Sequence, residues 1–248
     1  MKKQYKALML DMDGTTIPNT RHGLPSKRVI ENIQRATEKI KVGAVTGRPF
    51  FAAKEVADIL HYNSPLIVSG GAQIVSGDGE VMWEKKISHA DTLEICNQLK
   101  KHKMRALIQE DGEKDVQYTD SYVARETISI AAADLTETQA DQLIEDLKPL
   151  HDISCHKIIG WTTGTTWVQI NHAQATKQHA ILIVAELLGI ETHEIIGVGD
   201  GYNDFPLLMA CGLKVAMGNA VPELKAIADY VAPTVDEVNE RAGCSFLF

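Results

Sequence analysis

Short apolar runs recur along the first part of the chain, and each ends at a polar turn. The run at 5–10 stops at Asp-Met-Asp-Gly-Thr, and the run at 41–45 stops at Thr-Gly-Arg-Pro. Between them, residues 29–36 place apolar side chains at helical spacing after a Pro-Ser pair. Unbroken apolar runs of this length are typical of strands that are buried on both faces. The pattern therefore predicts a strand, a helix and a second, parallel strand.

The alternation continues as far as residue 83. A helix is predicted at 49–60, followed by a strand at 65–68 and a Gly-rich turn. Two further strands, at 73–75 and 81–83, flank Gly77-Asp78-Gly79, which is typical of a hairpin turn.

From about residue 83 the predicted strands come in pairs. Asp91-x-x-Glu94 and Thr136-x-x-Gln139 are typical of capping boxes, and they predict helices that run to about 103 and 147. A predicted pair of strands follows each helix, at 104–109 with 117–130 and at 154–161 with 165–170. A repeated α-β-β unit forms an antiparallel sheet with both helices on one face, so we expect an inserted α+β module.

After residue 171 single strands and helices alternate again, at 175–188, 194–198, 203–210 and 213–217. We therefore predict an α/β fold in which residues 1–82 and 172–248 build one doubly wound, Rossmann-like parallel sheet around the module at 83–171. Such sheets bind ligands beyond the carboxyl ends of their strands. Asp11, Thr46 and Asp200 all lie at predicted carboxyl ends.

Composition and charge exclude several classes of function. The 248 residues carry a formal net charge of −8, whereas nucleic-acid partners demand a surplus of Lys and Arg. No apolar run approaches the roughly 20 residues that cross a bilayer. The four cysteines lack the close spacing of a zinc site. We expect a cytoplasmic protein that binds neither nucleic acid nor membrane, as a monomer or homodimer.

The polar turns carry the groups that phosphoryl transfer through a protein nucleophile requires. Asp11 and Asp13 are two residues apart, and Gly14 permits a sharp turn that aims both at one point. One carboxylate could attack while the other handles a proton. Asp200 and Asp204 present two more carboxylates across a strand end and the next helix, and oxygen ligands of this kind suit Mg²⁺.

Other residues could bind the phosphate itself. The Thr46 hydroxyl and the Gly47 backbone N–H lie at the start of a predicted helix, where anions are favoured. Arg48 follows them and either binds the substrate or caps the helix. Lys177 could offset the repulsion between a phosphate and the carboxylates, and Asn203 could orient water or bind the phosphoryl group.

Taken in order, these motifs resemble those of the haloacid dehalogenase superfamily. They are Asp11-Met12-Asp13-Gly14-Thr15, Thr46-Gly47-Arg48, Lys177 and the stretch Gly199-Asp200-Gly201-Tyr202-Asn203-Asp204. The inserted module at 83–171 is similar to the cap of the Cof-type branch, subclass IIB. The resemblance spans nearly the whole chain.

The resemblance implies a role for each matching residue. Asp11 would be the nucleophile and a Mg²⁺ ligand, and Asp13 the general acid and base that also gives the metal its backbone carbonyl. Thr46 and Lys177 would hold the phosphoryl group, and Asp200, with Asp204 beside it, would complete the metal site. The chain departs from its relatives at Gly70, where they commonly have Asn, so a polar contact near the phosphate is expected to be missing.

The resemblance implies a Mg²⁺-dependent phosphatase that acts on a small phosphorylated metabolite, such as a sugar phosphate, through an aspartyl phosphate. Two alternatives stay open. A phosphomutase would pass the phosphate to a second sugar hydroxyl. A phosphoaspartyl signalling receiver combines similar residues, but it is about half as long and needs no module between its Thr and its Lys.

Overall fold

The computed structural model describes residues 4–20, 22–111, 114–160 and 162–235. Its strands are β1 (Ala7–Leu10), β2 (Lys41–Ala44), β3 (Leu66–Val68), β4 (Gln73–Val75), β5 (Val81–Glu84), β6 (Arg105–Gln109), β7 (Asp115–Gln117), β8 (Ser129–Leu135), β9 (Ile153–Ile159), β10 (Thr166–His172), β11 (Ile195–Gly199), β12 (Leu213–Ala216) and β13 (Tyr230–Val231). Its α-helices are α1 (Lys27–Thr37), α2 (Phe50–Leu60), α3 (His89–Lys101), α4 (Glu137–Leu147), α5 (Lys177–Leu188), α6 (Phe205–Ala210) and α7 (Pro222–Ile227).

The first sheet is parallel and joins the two ends of the described chain. Its strand order is β13-β12-β11-β1-β2, and an isolated parallel bridge from Val45 to Ile67 places β3 beyond β2. Strands β1 and β11 are buried along their whole length, as their unbroken apolar sequences predict. The chain winds outward from β1 in one direction and from β11 in the other, so the crevice above this pair is the topological switch point.

The second sheet is antiparallel, with strand order β7-β6-β8-β10-β9. Helices α3 and α4 contribute Ile95, Leu99 and Leu143 to a hydrophobic core that also includes Ile108 and Ile170 of the sheet. The first sheet has a separate hydrophobic core. The predicted α/β fold is therefore confirmed, with an inserted α+β module whose two helices pack on one face of its sheet.

A small antiparallel sheet, β3-β4-β5, leads the chain from the first sheet to the second. The predicted hairpin is present, and Gly79 has the positive φ of 90° that its turn needs. Strand β5 crosses the predicted domain boundary at 82/83, and residues 236–248 lie outside the described residues. The division into 1–82 with 172–248 and 83–171 stays a prediction.

One predicted strand is wrong. The stretch 117–130 contains no single strand: β7 ends at Gln117, and β8 begins only at Ser129 and extends to Leu135. The sequence of β8, Ser-Ile-Ala-Ala-Ala-Asp-Leu, is rich in Ala, which has little intrinsic preference for strands. Its pairing with β6 and β10 on both sides overrides that preference.

The start of one helix also differs from the prediction. Helix α3 is capped by Ser88, whose Oγ accepts a hydrogen bond from the Asp91 N–H, so the cap lies three residues before the predicted one. The α4 capping box of Thr136 and Gln139 is confirmed. Strand β9 ends at Ile159, and Trp161, the predicted last residue of that strand, lies outside the described residues. None of the described helices is long and apolar enough to span a membrane.

Candidate active site

Two carboxylates meet at the switch point because their strands are neighbours. Asp11 follows β1 and Asp200 follows β11, and the two strands pair in parallel with Leu10 opposite Val198. The Asp11 N–H donates to the Val198 carbonyl, which continues the ladder to the last residue before the turn. Both side chains are buried, with Asp11 4% and Asp200 8% exposed.

Gly14 allows the turn after β1 to touch Asp200. Its φ is +81°, and a Cβ at this position would lie 2.2 Å from Asp200 Oδ2. The Thr15 hydroxyl donates to Asp200 Oδ1 at 2.9 Å. Asn219 donates from Nδ2 to the Gly14 carbonyl at 2.9 Å and to Asp200 Oδ2 at 3.3 Å. Asn219 was not predicted as a site residue, because it lies after β12 and outside every motif.

Lys177 begins helix α5 beneath the two carboxylates. Its Nζ donates to Asp11 Oδ1 and to Asp204 Oδ1, both at 2.6 Å, and the side chain is 3% exposed. The helix is capped by the Thr176 hydroxyl, which accepts from the His179 N–H. Lys177 is thus fixed as the counter-ion of two buried carboxylates.

Asp204 holds this arrangement together. Its Oδ2 accepts from the N–H groups of Asp200 and Gly201, both at 2.9 Å, while its Oδ1 accepts from Lys177. Carboxylate oxygens of Asp11, Asp200 and Asp204 lie within 4.8 Å of one another, a grouping that could hold a cation. Asp204 accepts from the Lys177 cation and from two backbone N–H groups, whereas Asp200 accepts from the Thr15 and Asn219 side chains. The assignment of Asp11, Asp200 and Asp204 as metal ligands stays a prediction.

Burial and like charge shift the pKa values of these groups. Burial, with the nearby Asp204 carboxylate, raises the pKa of Asp11, although Lys177 opposes the rise. The same two causes raise the pKa of Asp200 to about 7. Burial opposes the charge of Lys177, but Asp11 and Asp204 outweigh it and raise the Lys177 pKa. The cluster is short of positive charge.

Asp13 forms an ion pair with Arg48. The Arg48 guanidinium donates from Nε to Asp13 Oδ2 at 2.8 Å and from Nη2 to Oδ1 at 2.5 Å. Nη2 also donates to the Thr20 carbonyl at 3.1 Å. Arg48 was predicted to bind the substrate or to cap a helix. In the structure it donates to both carboxylate oxygens of Asp13, the candidate general acid.

Residues 46–48 form a loop at the end of β2. The Arg48 N–H donates to Thr46 Oγ1 at 3.1 Å, and the Thr46 carbonyl accepts from the Gly70 N–H at 3.0 Å. Gly70 has a φ of +69°, and a Cβ there would lie 2.6 Å from Gln169 Oε1. The side-chain amide of Gln169, from the second sheet, therefore occupies the space beside Gly70, where relatives were expected to have Asn.

A cavity of about 830 Å³ opens above these groups, between the two sheets. Its floor includes six of the predicted site residues, Asp11, Asp13, Gly47, Arg48, Asp200 and Asn203. The other three, Thr46, Lys177 and Asp204, are buried and are not among the lining residues. Its roof is the face of the second sheet opposite the helices. The roof includes residues that were not predicted as site residues, Leu107, Gln109, Ser129, Ala131, Trp167 and Gln169.

Comparisons with known proteins agree with this geometry. Residues 8–126 and 109–239 match the haloacid dehalogenase-like hydrolase family. The chain is 28% identical to a putative phosphatase of Haemophilus influenzae, with 94% of each chain covered. It is 27% identical to a 5-amino-6-(5-phospho-D-ribitylamino)uracil phosphatase of Bacillus subtilis, over 92% of this chain and 90% of that one.

The fold also matches solved structures. One is a sugar phosphatase of subclass IIB of the haloacid dehalogenase superfamily, with a TM-score of 0.77 and 22% identity over 95% of this chain and 96% of that one. An identity this low carries the fold alone. The resemblance to subclass IIB is thereby confirmed at the level of architecture.

The raised pKa of Asp200 predicts an unusual pH dependence for the metal-free protein. An Asp with a pKa near 3.9 when unfolded and about 7 when folded binds more protons in the folded state, so the free energy of unfolding falls as pH rises from about 4 to 7. Asp200→Asn removes the buried charge. At pH 8 in EDTA we expect the free energy of unfolding of this variant to exceed that of the wild type by roughly 1 to 4 kcal/mol.

Urea unfolding at pH 5 and pH 8 measures this difference. Asp58→Asn, which removes an exposed carboxylate beside Lys54, is the matched control and should change little. An Asp200→Asn protein that is less stable than the wild type at pH 8 would contradict the assigned direction.

Lys177→Met should strongly destabilise the fold. The substitution leaves Asp11 and Asp204 buried without their shared cation, and breaking a buried pair costs roughly 3 to 5 kcal/mol. Urea unfolding at pH 7.5 is the measurement. Adding Asp204→Asn should recover part of the loss, whereas an equal loss in the double variant, or in the exposed control Lys54→Met, would show that the ion pairs are not its cause.

Proposed function

This chain belongs to the haloacid dehalogenase-like hydrolases and is a phosphatase, and we propose that it hydrolyses a small phosphorylated metabolite through a phosphorylated Asp11 with the help of Mg²⁺. One observation carries the proposal. The buried Asp11 carboxylate lies on the floor of a cavity, one of its oxygens is held by Lys177, and Asp200 is its neighbour.

The first step transfers the phosphoryl group to the enzyme. Lys177 occupies Asp11 Oδ1, so the other oxygen, Oδ2, attacks phosphorus. The bond from phosphorus to the ester oxygen breaks as the new bond to Asp11 forms, and the departing oxygen takes a proton from the Asp13 carboxyl group. The product alcohol leaves, and an aspartyl phosphate remains.

The second step regenerates Asp11. The Asp13 carboxylate takes a proton from water, the water oxygen bonds to phosphorus, and the bond from phosphorus to Asp11 breaks. Asp13 must release at least one of its two bonds to Arg48 in order to act. Arg48 therefore holds the Asp13 side chain in place, and direct binding of the phosphate by Arg48 stays a prediction.

The donor set suits a hard divalent cation. Asp11 and Asp200 bring carboxylate oxygens together with raised pKa values, and a dication would relieve the repulsion that raises them. Asp11, Asp200 and the Asp13 backbone carbonyl would hold Mg²⁺. When bound, the ion neutralises the charge of the phosphoryl oxygens. Asp204 stays the partner of Lys177.

The cavity favours a small, polar substrate. Its roof includes the polar side chains of Gln109, Ser129 and Gln169 and the small side chain of Ala131. Amide and hydroxyl groups pair with the hydroxyls of a polyol, which supports a sugar phosphate. The B. subtilis relative is also named for a small phosphorylated metabolite.

Release of inorganic phosphate separates hydrolysis from transfer to a second sugar. A phosphatase releases one phosphate for each alcohol formed, whereas a phosphomutase conserves the phosphate and depends on a bisphosphorylated primer. Screening phosphorylated sugars, nucleotides and cofactors with Mg²⁺ present identifies the substrate. No phosphate release from any of them would contradict the proposal.

Asp11→Asn should abolish turnover and covalent labelling. The carboxamide fills the same space but is a very poor nucleophile, so we expect the rate to fall by at least about 10⁴-fold. Acid quenching after incubation with ³²P-labelled substrate should show phosphoprotein only with Asp11 present. Thermal unfolding should show that the variant is folded, and labelling of folded Asp11→Asn protein would place the nucleophile elsewhere.

Mg²⁺ should stabilise the protein in a pH-dependent way. Metal binding requires ionised carboxylates, so the rise in Tm on adding MgCl₂ to EDTA-treated protein should be larger at pH 8 than at pH 5.5. Asp200→Asn should abolish the rise, and the exposed control Asp58→Asn should keep it. Activity should return with the same Mg²⁺ dependence, whereas a Tm that ignores Mg²⁺ at both pH values would reject the site.

A further inference from the structure

Gln169 reaches from the roof of the cavity into the loop that was predicted to bind phosphate. It lies on β10 of the second sheet, and its Nε2 donates to the Gly47 carbonyl at 3.0 Å. Its Oε1 lies 3.1 Å from where a Cβ of Gly47 would be and 2.6 Å from where a Cβ of Gly70 would be. Two glycines thus leave the space that this amide fills, and the side chain is only 5% exposed.

The bond acts on a peptide group that also contacts Thr46. The Gly47 carbonyl and the Arg48 N–H belong to one planar peptide, and that N–H donates to Thr46 Oγ1 at 3.1 Å. Gln169 therefore holds the carbonyl end of the plane while the Thr46 hydroxyl accepts from the other end. Because this oxygen accepts from the backbone, its own proton is free to be donated.

The rest of the loop is fastened on its other side. The Ser69 N–H donates to the Arg48 carbonyl at 2.8 Å, and the Gly70 N–H donates to the Thr46 carbonyl at 3.0 Å. These bonds fix the peptides before and after the one that Gln169 holds. Rotation of the plane between Gly47 and Arg48 is opposed by the Gln169 amide and the Thr46 hydroxyl.

We propose that Gln169 is a positioning residue, which orients the Thr46 hydroxyl toward the phosphoryl group through the peptide between Gly47 and Arg48. The inference rests on the proposed function and on the sequence prediction that Thr46 holds the phosphoryl group, here by donating its hydroxyl proton to a phosphoryl oxygen. It makes the second sheet part of the phosphate site as well as the roof over the leaving group. Its effect falls on the phosphoryl group, which all substrates share.

Direct contact with the leaving group is the competing role, because Gln169 also lines the cavity. The two roles differ in their dependence on substrate. A contact with the leaving group matters for a substrate that fills the cavity and not for p-nitrophenyl phosphate. A residue that orients Thr46 affects both substrates by the same factor.

A double-mutant cycle of Gln169→Ala and Thr46→Val tests the proposal on p-nitrophenyl phosphate and on a sugar phosphate that the wild type hydrolyses. We expect Gln169→Ala to lower kcat by roughly 3- to 10-fold on both, as the loss of one hydrogen bond does. Inhibition by inorganic phosphate should weaken in the same variant. In the Thr46→Val background, Gln169→Ala should cost less than about 2-fold, because the group that it orients is gone.

Two variants serve as controls. Gln169→Glu keeps the shape but lacks the donor for the Gly47 carbonyl, so it should lose as much kcat as Gln169→Ala; it also replaces the Ala variant if that does not fold. Gln109→Ala removes the other roof glutamine, which is bonded to Ser69 Oγ at 2.7 Å and not to the loop at 46–48. Its effect should multiply with that of Thr46→Val.

Four outcomes overturn the proposal. Independent, multiplicative effects of Gln169→Ala and Thr46→Val would show that Gln169 does not act through Thr46, and an effect on the sugar phosphate alone would assign Gln169 to the leaving group. Both would leave the phosphatase intact. Full activity of Gln169→Glu would show that the donated bond is not needed. Absence of any phosphatase activity in the wild type would remove the proposed function and this inference with it.

Discussion

The structure depends on the burial of three carboxylates around one ammonium group. Asp11, Asp200 and Asp204 are all less than a tenth exposed, and Lys177 is the cation that two of them contact. Charges are buried in proteins only where partners compensate for lost hydration. Thr15, Asn219 and two backbone N–H groups supply neutral partners, but the cluster still carries excess negative charge. In the proposed function this excess favours the binding of a dication, which would let a phosphate dianion approach the Asp11 carboxylate.

The sequence predicts the residues of the floor because parallel sheets have simple rules. Unbroken apolar runs mark buried strands, their carboxyl ends meet at one edge, and Asp11 and Asp200 therefore come together although they are far apart in the chain. Side-chain pairing follows no such rule. The contact of Arg48 with Asp13 depends on the rotamers of both side chains. Asn219 reaches Asp200 from a loop without a recognisable sequence pattern.

The roof was harder to predict than the floor for a physical reason. An antiparallel sheet with one face on helices and one face on a cavity has no rule for which short side chains face the ligand. In β8, Ile130 and Ala132 face the helices and Ala131 faces the cavity, so alanines lie on both faces and Ile130 is the one β-branched residue of the strand. The cap at Ser88, by contrast, could have been predicted from the sequence. Ser-His-Ala-Asp fits a helix start as well as the predicted capping box of Asp91 and Glu94 does.

Glycine at position 70 shows how the two sheets are coupled. A side chain there would collide with the amide of Gln169 and with Asn171, whose Nδ2 donates to the Ser69 carbonyl. The Asn side chain expected at position 70 is therefore replaced by the Gln169 amide, which belongs to the second sheet. A side chain on residue 70 would stay beside the phosphate whatever the second sheet does, whereas an amide on β10 reaches Gly47 only when the second sheet sits against the first. If Gln169 orients Thr46 as proposed, formation of the phosphate site depends on the placement of the roof, and one contact completes both the leaving-group pocket and the phosphoryl donors.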